Sequence, residues 1–419
     1  MNNSLPRNDG TMAEPSRPPN AAENSSRRLL LLGIAYLGFI SLGLPDAVTG
    51  VAWLQLRATF QQPESALGYI SVTLAVGYFL SSFFAGQLQN VLGIGLLLTF
   101  SSLLVAVAMF GNALAPTFLV ILICVALWGL GSGAIDAGLN HYAASHFSPR
   151  HMNWLHACYS LGATLGPFLM TASIVGFDSW RLGYGLVGAV VLSLTILFAA
   201  TLRLWSDPQT PAPADSLPQP AESPVSILAA LANPLVHLQV VIFFLYTGLE
   251  FMIGNWCFTL LTQSRGATEL TAGMLVGTYY GSVGVGRVAL GGLTRWVGVD
   301  QLVRMSTVAA VIGTLLFAFA PHPLSFVGLV LLGLGLAPIF PCLMSRTPAR
   351  LGKNMAAHAV GFQVSAATIG GASLTYAGGE LARVAGREAI PQLGVAVAIA
   401  IWLLHEVLLR VTAGRESAR

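Results

Sequence analysis

Apolar residues run along this chain in long unbroken stretches rather than alternating with polar ones. Leu29 to Trp53, Ala66 to Leu88 and Pro116 to Ile135 each reach the ~20 residues that a helix needs to cross a bilayer. Glycine, proline and charge punctuate the pattern into spans at 29–56, 66–88, 93–112, 116–145, 153–176 and 181–204. A second set follows at 235–262, 270–293, 301–320, 323–345, 356–381 and 389–411. Within hydrocarbon every backbone N–H and C=O must find a partner inside the protein, and runs without strand alternation find them as helices. The pattern predicts an all-α membrane protein of twelve transmembrane helices, with both termini on one side.

Between the sets, Ser206 to Pro234 holds Pro208, Pro211, Pro213, Pro218, Pro220 and Pro224 and reads as an extended tether. The expected organisation is a disordered tail at 1–28, a six-helix bundle at 29–205, a linker at 206–234, a second bundle at 235–412 and a short tail at 413–419. Nothing after Leu29 resembles a signal-peptide cleavage site, so that run is expected to stay as the first span.

Composition supports lipid as the main solvent, with 55% hydrophobic and only 9% charged residues. With the N-terminus inside, fifteen of the 20 basic residues fall on inner segments, while Arg57, Arg181, Arg265, Arg383 and Arg387 fall outside. The positive-inside rule then predicts cytoplasmic termini in a cell-membrane protein. A net charge of +3 with no basic cluster interleaved with aromatics gives no reason to expect nucleic acid as a partner. Cys124, Cys158, Cys257 and Cys342 lie in apolar segments without metal-ligand spacing and read as packing residues; neither metal nor cofactor is expected. H-E-x-x-H, G-x-S-x-G and Walker A patterns are absent, which argues against an enzyme.

The two sets of spans repeat each other. Gly86-Gln-Leu88 to Gly93 returns as Gly291-Gly-Leu293 to Gly298 at an offset of 205. Gly129-Leu-Gly131 returns as Gly333-Leu-Gly335, and Gly162-Ala-Thr-Leu-Gly166 as Ala366-Ala-Thr-Ile-Gly370, both at 204. The same shift carries Asp46-x-x-x-Gly50 onto Glu250-x-x-x-Gly254. Small residues at shared positions are what close helix packing in lipid requires, so the halves are expected to be pseudo-symmetric bundles.

These features resemble the major facilitator superfamily, over about residues 29–412. The family's loop signature, roughly G-x-L-x-D-R-x-G-R, survives only as a glycine frame: Asn90 and Val91 stand at its acid and base positions, and Arg295 takes the acid position of the second copy. Asp136-Ala-Gly-Leu-Asn140, Asn153-Trp-Leu-His156 with Gly162-Ala-x-x-Gly166-Pro167, and Gly248-Leu-Glu250-x-x-x-Gly254-x-Trp256 are similar to the fucose permease branch. That resemblance implies a sugar moved together with protons. Proton-coupled export of drugs or metabolites would use the same fold and acids.

Carboxylates deep in apolar spans cost about 2.5–3.5 kcal/mol each on insertion scales, so Asp46, Asp136 and Glu250 call for a function. Burial favours the neutral acid, which suits a group that loads and releases a proton. Asp136 is the first choice as coupling acid, because its repeat mate is Phe340 and Asn140 shares its helix face. His156 is a second candidate, as a relay to Asp136 or as a cap of its own helix. For the solute, Asn140, Asn255, Trp256, Tyr280 and Gln363 are expected contacts, with Tyr279 beside them. Arg287 is read as snorkelling to the interface, and Glu406 as pairing with Arg410 four residues on. The expected partners are therefore a small solute, a proton or sodium ion and the bilayer, for a chain working as a monomer.

Overall fold

A computed structural model describes residues 21–147, 149–205, 227–294 and 296–417. Every regular element among them is helical. The chain runs through α1 (Ala21–Asp46), α2 (Val48–Phe60), α3 (Ala66–Leu114), α4 (Phe118–His146), α5 (Pro149–Phe177) and α6 (Trp180–Ala200). After a short α7 (Ile227–Leu231) come α8 (Pro234–Gln263), α9 (Glu269–Leu293), α10 (Val299–Phe319), α11 (Leu324–Leu336), α12 (Ile339–Leu351), α13 (Lys353–Ala385) and α14 (Ala389–Ser417).

Nine described helical stretches are long and apolar enough to span a bilayer by composition alone. Three breaks reconcile these elements with twelve crossings. Pro45 and Ala47 interrupt the first crossing into α1 and α2. The 49-residue α3 is two crossings, divided at Gly93, whose φ of 73° lies in a region that favours glycine. Ala337 and Pro338 part α11 from α12 within the tenth crossing. The remaining crossings, α9 and α13, carry Ser282 and Arg287, and Gln363 and Thr375, and are less apolar than the others. Packing against neighbouring helices holds them in the layer.

Several expected boundaries shift. Residues 21–28, expected in the tail, already belong to α1; 227–231 of the expected linker form α7, and α14 runs on to Ser417. The rest of the expected tail and linker, 1–20 and 206–226, lies outside the described residues, as do 418–419 and Arg295.

Within the first half, α3 packs on α4 and α6, and α1 on α5; within the second, α8 packs on α13 and α10 on α11 and α14. Asn233 caps α8, its side-chain oxygen accepting from the Leu235 amide. The halves meet along α2–α8, α3–α13 and α5–α9. Glycines make this seam close. A methyl group at Gly50 would stand 2.7 Å from the Asn255 carbonyl, and one at Gly379 would stand 3.0 Å from the Ser65 Cα. Gly68 receives Tyr376, while Gly273, Gly277, Gly281 and Gly284 of α9 face Thr171, Phe168, Thr164 and Ser160 of α5.

Most of these approaches lie toward the end of the molecule formed by the 61–65, 264–268 and 386–388 connections, here termed the far end. The α5–α9 seam extends from there to Ser160 and Gly284, about midway along both helices. One turn beyond Ser160, on the same face of α5, His156 is exposed. The seam therefore loosens toward the linker end, where α5 begins and α9 finishes.

Candidate functional site

Three carboxylates lie near the middle of the crossings, each held by a tyrosine. Tyr159 of α5 donates to Asp46 Oδ2 at 2.7 Å. Tyr78 of α3 donates to Asp136 Oδ2 at 2.6 Å, and Asn140, one turn on, gives its amide to Oδ1 at 2.9 Å. On α8, Tyr246 donates to Glu250 Oε2 from the preceding turn. A hydrogen bond to a charged acceptor is worth about 1.5–3 kcal/mol net, so these phenols offset part of the cost of holding acids in the membrane.

Helix breaks and packing set these positions. Asp46 ends α1 just before α2, at the break that Pro45 and Ala47 introduce into the first crossing. A close approach of Gly43 to Tyr159 brings α5 against α1, and Gly133 lets α4 settle on Tyr78 and Ser81. Tyr279 fixes Glu250 from below, its hydroxyl donating to the Glu250 backbone carbonyl at 3.0 Å.

Glu250 differs from the other two acids in having a cation beside it. Arg287 Nη2 stands 3.4 Å from Glu250 Oε1 and 3.4 Å from the Tyr246 hydroxyl, while Nη1 donates to Ser160 Oγ of the other half at 3.1 Å. The expected snorkelling of Arg287 is thus corrected: its side chain is only 16% exposed and is held inside by these three partners. The pairing of Glu406 with Arg410 is corrected too, because Arg304 grips both Glu406 oxygens at 2.6 and 2.7 Å.

Among the expected solute contacts, only Asn140 is hydrogen-bonded to an acid. Gln363 is wholly buried, and its amide donates to Gln239 and Thr347 at 3.0 Å each, which makes it part of an internal network. Trp256 is 1% exposed and gives its indole proton to the Thr375 carbonyl at 2.9 Å. Asn255 lies at the far-end seam against Gly50. Tyr280 is buried with its hydroxyl against Gly254 and its ring on Tyr279. His156 packs edge-on to Phe39 at 5.5 Å, whereas the partners of Asp136 are Tyr78 and Asn140, so no direct relay bond joins His156 to Asp136.

The tyrosine partners are what sequence reasoning missed. Tyr246 was recoverable from its place four residues before Glu250; Tyr78 and Tyr159 carried only the weaker signal of phenols inside apolar spans. At the far end Arg387 pairs with Glu64 across the halves, and Arg57 adds a contact to Glu64 at 3.5 Å. Among the described residues no group of His, Cys, Asp and Glu has the arrangement of a metal site.

A twelve-crossing helical protein, with acids gathered where two bundles meet, has the architecture of a solute carrier. The chain belongs to the Major Facilitator Superfamily, whose sequence model matches residues 35–375. It is therefore a multi-pass membrane transporter and not an enzyme. It is similar to the human sodium-dependent glucose transporter 1, 25% identical over 58% of this chain and 52% of the relative, so the match spans about half of that protein's length. Membrane protein MosC of Rhizobium meliloti is 25% identical over 77% of this chain and 76% of its own. The solved structure of a point mutant of the nucleoside transporter NupG superposes with a TM-score of 0.72, covering 91% of this chain and 99% of its own at 13% identity, a likeness of fold.

Proposed function

We propose that this protein moves a sugar or a similar small polar solute across the cell membrane by proton-coupled symport, the bundles 29–205 and 235–412 rocking about the site between them. The observation that carries the reading is the set of three mid-membrane carboxylates, each bonded to a phenol. Carboxylate, phenol and amide groups offer a polyol both acceptors and donors. Acids in a low-dielectric setting are also suited to carrying a proton. The sugar assignment further rests on the resemblance to the fucose permease branch and on the name of the human relative.

In this reading Asp136 carries the coupling proton, with Asp46 and Glu250 supporting it, and Asn140 contacts the solute. His156 lines the approach from the linker end. The excess of basic residues on the tether side makes that end cytoplasmic, and the conformation is then inward-facing. Each chain contains both bundles, and a monomer suffices.

Purified protein in vesicles loaded with a pH-sensitive dye tests the reading against a panel of mono- and disaccharides. Sugar-dependent acidification of the lumen, unchanged when potassium replaces sodium, is the expected result. Uptake that requires sodium and moves no proton overturns the coupling ion. A folded protein that moves no sugar under either condition overturns the substrate class.

A further inference from the structure

Arg287 is the cation beside Glu250, and its two arms reach into different halves. Nη2 addresses Glu250 and Tyr246 in its own half; Nη1 reaches Ser160 Oγ in the other. The second contact lies where the seam ends, because a methyl group at Gly284, three residues from Arg287, would stand only 2.9 Å from Ser160 Cβ. No other part of the α5–α9 seam described above involves a charged side chain.

We infer that Arg287 is a positioning residue that makes the contact between the halves depend on the charge of Glu250, an inference that rests on the transport reading above. With Glu250 ionised, the guanidinium is held between carboxylate and serine, and the halves stay joined at mid-membrane with the far end shut. When Glu250 loses its charge, Arg287 loses its counter-ion in a low-dielectric setting and turns from the seam toward the open side. The bond to Ser160 is lost, and the far end is freed to part. The guanidinium fork is essential, since an ammonium cannot span both partners in this way.

The surroundings of Glu250 leave it few other electrostatic inputs. Tyr246 stands on its own helix; Tyr279, Tyr280 and Arg287 face it from α9, and Tyr159 approaches from α5 with Asp46 bonded behind it. The other elements packed on this part of α8 bring apolar groups: Gly370, Gly371 and Leu374 from α13, Gly394 from α14 and Phe340 from α12. Arg287 is the one arginine or lysine in this set, and His156 of α5, one turn from Ser160, lies within electrostatic reach of it.

The test measures distance, without solute or gradient, so a failure of the sugar or proton assignment leaves it readable. Spin labels on cysteines at Ala58 and Val384, both exposed far-end positions in opposite halves, are introduced with the four native cysteines replaced. Glu250→Gln, Ser160→Ala and Arg287→Lys are each expected to move population from the short to the long distance. Combining Glu250→Gln with Ser160→Ala should add nothing, because both cut the same connection. Glu406→Gln, which cuts the ion pair with Arg304 inside the second half, should leave the distribution as in the parent. An unchanged distribution in Ser160→Ala, the smallest of the changes, overturns the inference. So do additive shifts in the double variant, or an equal shift in Glu406→Gln.

Discussion

Tyr159 reaches across from α5 to place its hydroxyl 2.7 Å from the Asp46 carboxylate at the break between α1 and α2. Tyr78 makes the corresponding contact with Asp136, so two acids of the first half are each restrained by a phenol from another helix.

Removing the charge at Asp136 should separate coupling from movement. Asp136→Asn keeps the shape and can still bond Tyr78 and Asn140, but it cannot carry a proton. Uphill accumulation in vesicles with an imposed proton gradient is expected to disappear, while exchange of labelled for unlabelled solute persists. Accumulation that survives assigns the proton to another group.

Tyr159→Phe leaves Asp46 without its described partner. Loss of a hydrogen bond to a charged group is worth about 1.5–3 kcal/mol, and gradient-driven uptake is expected to fall by about tenfold or more. Initial-rate measurements at saturating solute check this, with thermal unfolding showing whether the fold is retained.

Gln363 should matter for stability alone. Gln363→Leu leaves Gln239 and Thr347 with unmet hydrogen-bonding capacity in a fully buried setting, at a cost of about 1–3 kcal/mol. A lowered melting temperature with unchanged apparent solute affinity is expected. A selective loss of affinity would restore Gln363 to the binding site.

The far-end pair joins the halves directly. Glu64 is 11% and Arg387 28% exposed, so the pair is partly shielded from water. Glu64→Gln should raise the rate at which an impermeant thiol reagent, applied from the far side, modifies a cysteine at Asn140, by about two- to fivefold. Restoration by the swap Glu64→Arg with Arg387→Glu would tie the effect to the pair.

Glycine substitutions should divide by location. Gly50→Ala presses on the Asn255 backbone across the seam and is expected to favour the far-open state without unfolding either half. Gly370→Ala drives a methyl into the Phe244 backbone inside the second bundle, and overpacking there should cost about 1–3 kcal/mol of stability. Melting temperature and far-side thiol accessibility together distinguish the two.

Membrane fold was legible in the sequence because hydrocarbon imposes a length and an apolarity that few other settings demand. The acids were legible for the same reason, as each is costly where it stands. The apolar pattern, punctuated by glycine, proline and charge, brought out α9 and α13 although both are less apolar than the other crossings. Partners were harder to read. Arg287 looks like an interfacial residue until α5 and α8 are packed beside it, and Glu406 has a partner within its own helix until α10 supplies a better-placed guanidinium. Trp256 and Gln363 resemble ligand-binding groups in a linear sequence, but their bonds are made across helices to Thr375, Gln239 and Thr347. Spacing along one helix carries contacts within that helix; contacts between helices depend on rotation about their axes.

The tyrosine on each of the three mid-membrane acids would also set a ceiling on how tightly a solute is held there. On the proposed reading, an arriving hydroxyl would not meet a bare carboxylate; it would displace or share a phenol of similar strength, so the gain would be the small difference between two nearly equal bonds. Binding becomes a trade of partners. Loose grip of this kind suits a protein that must let go on the opposite side of the membrane in every cycle.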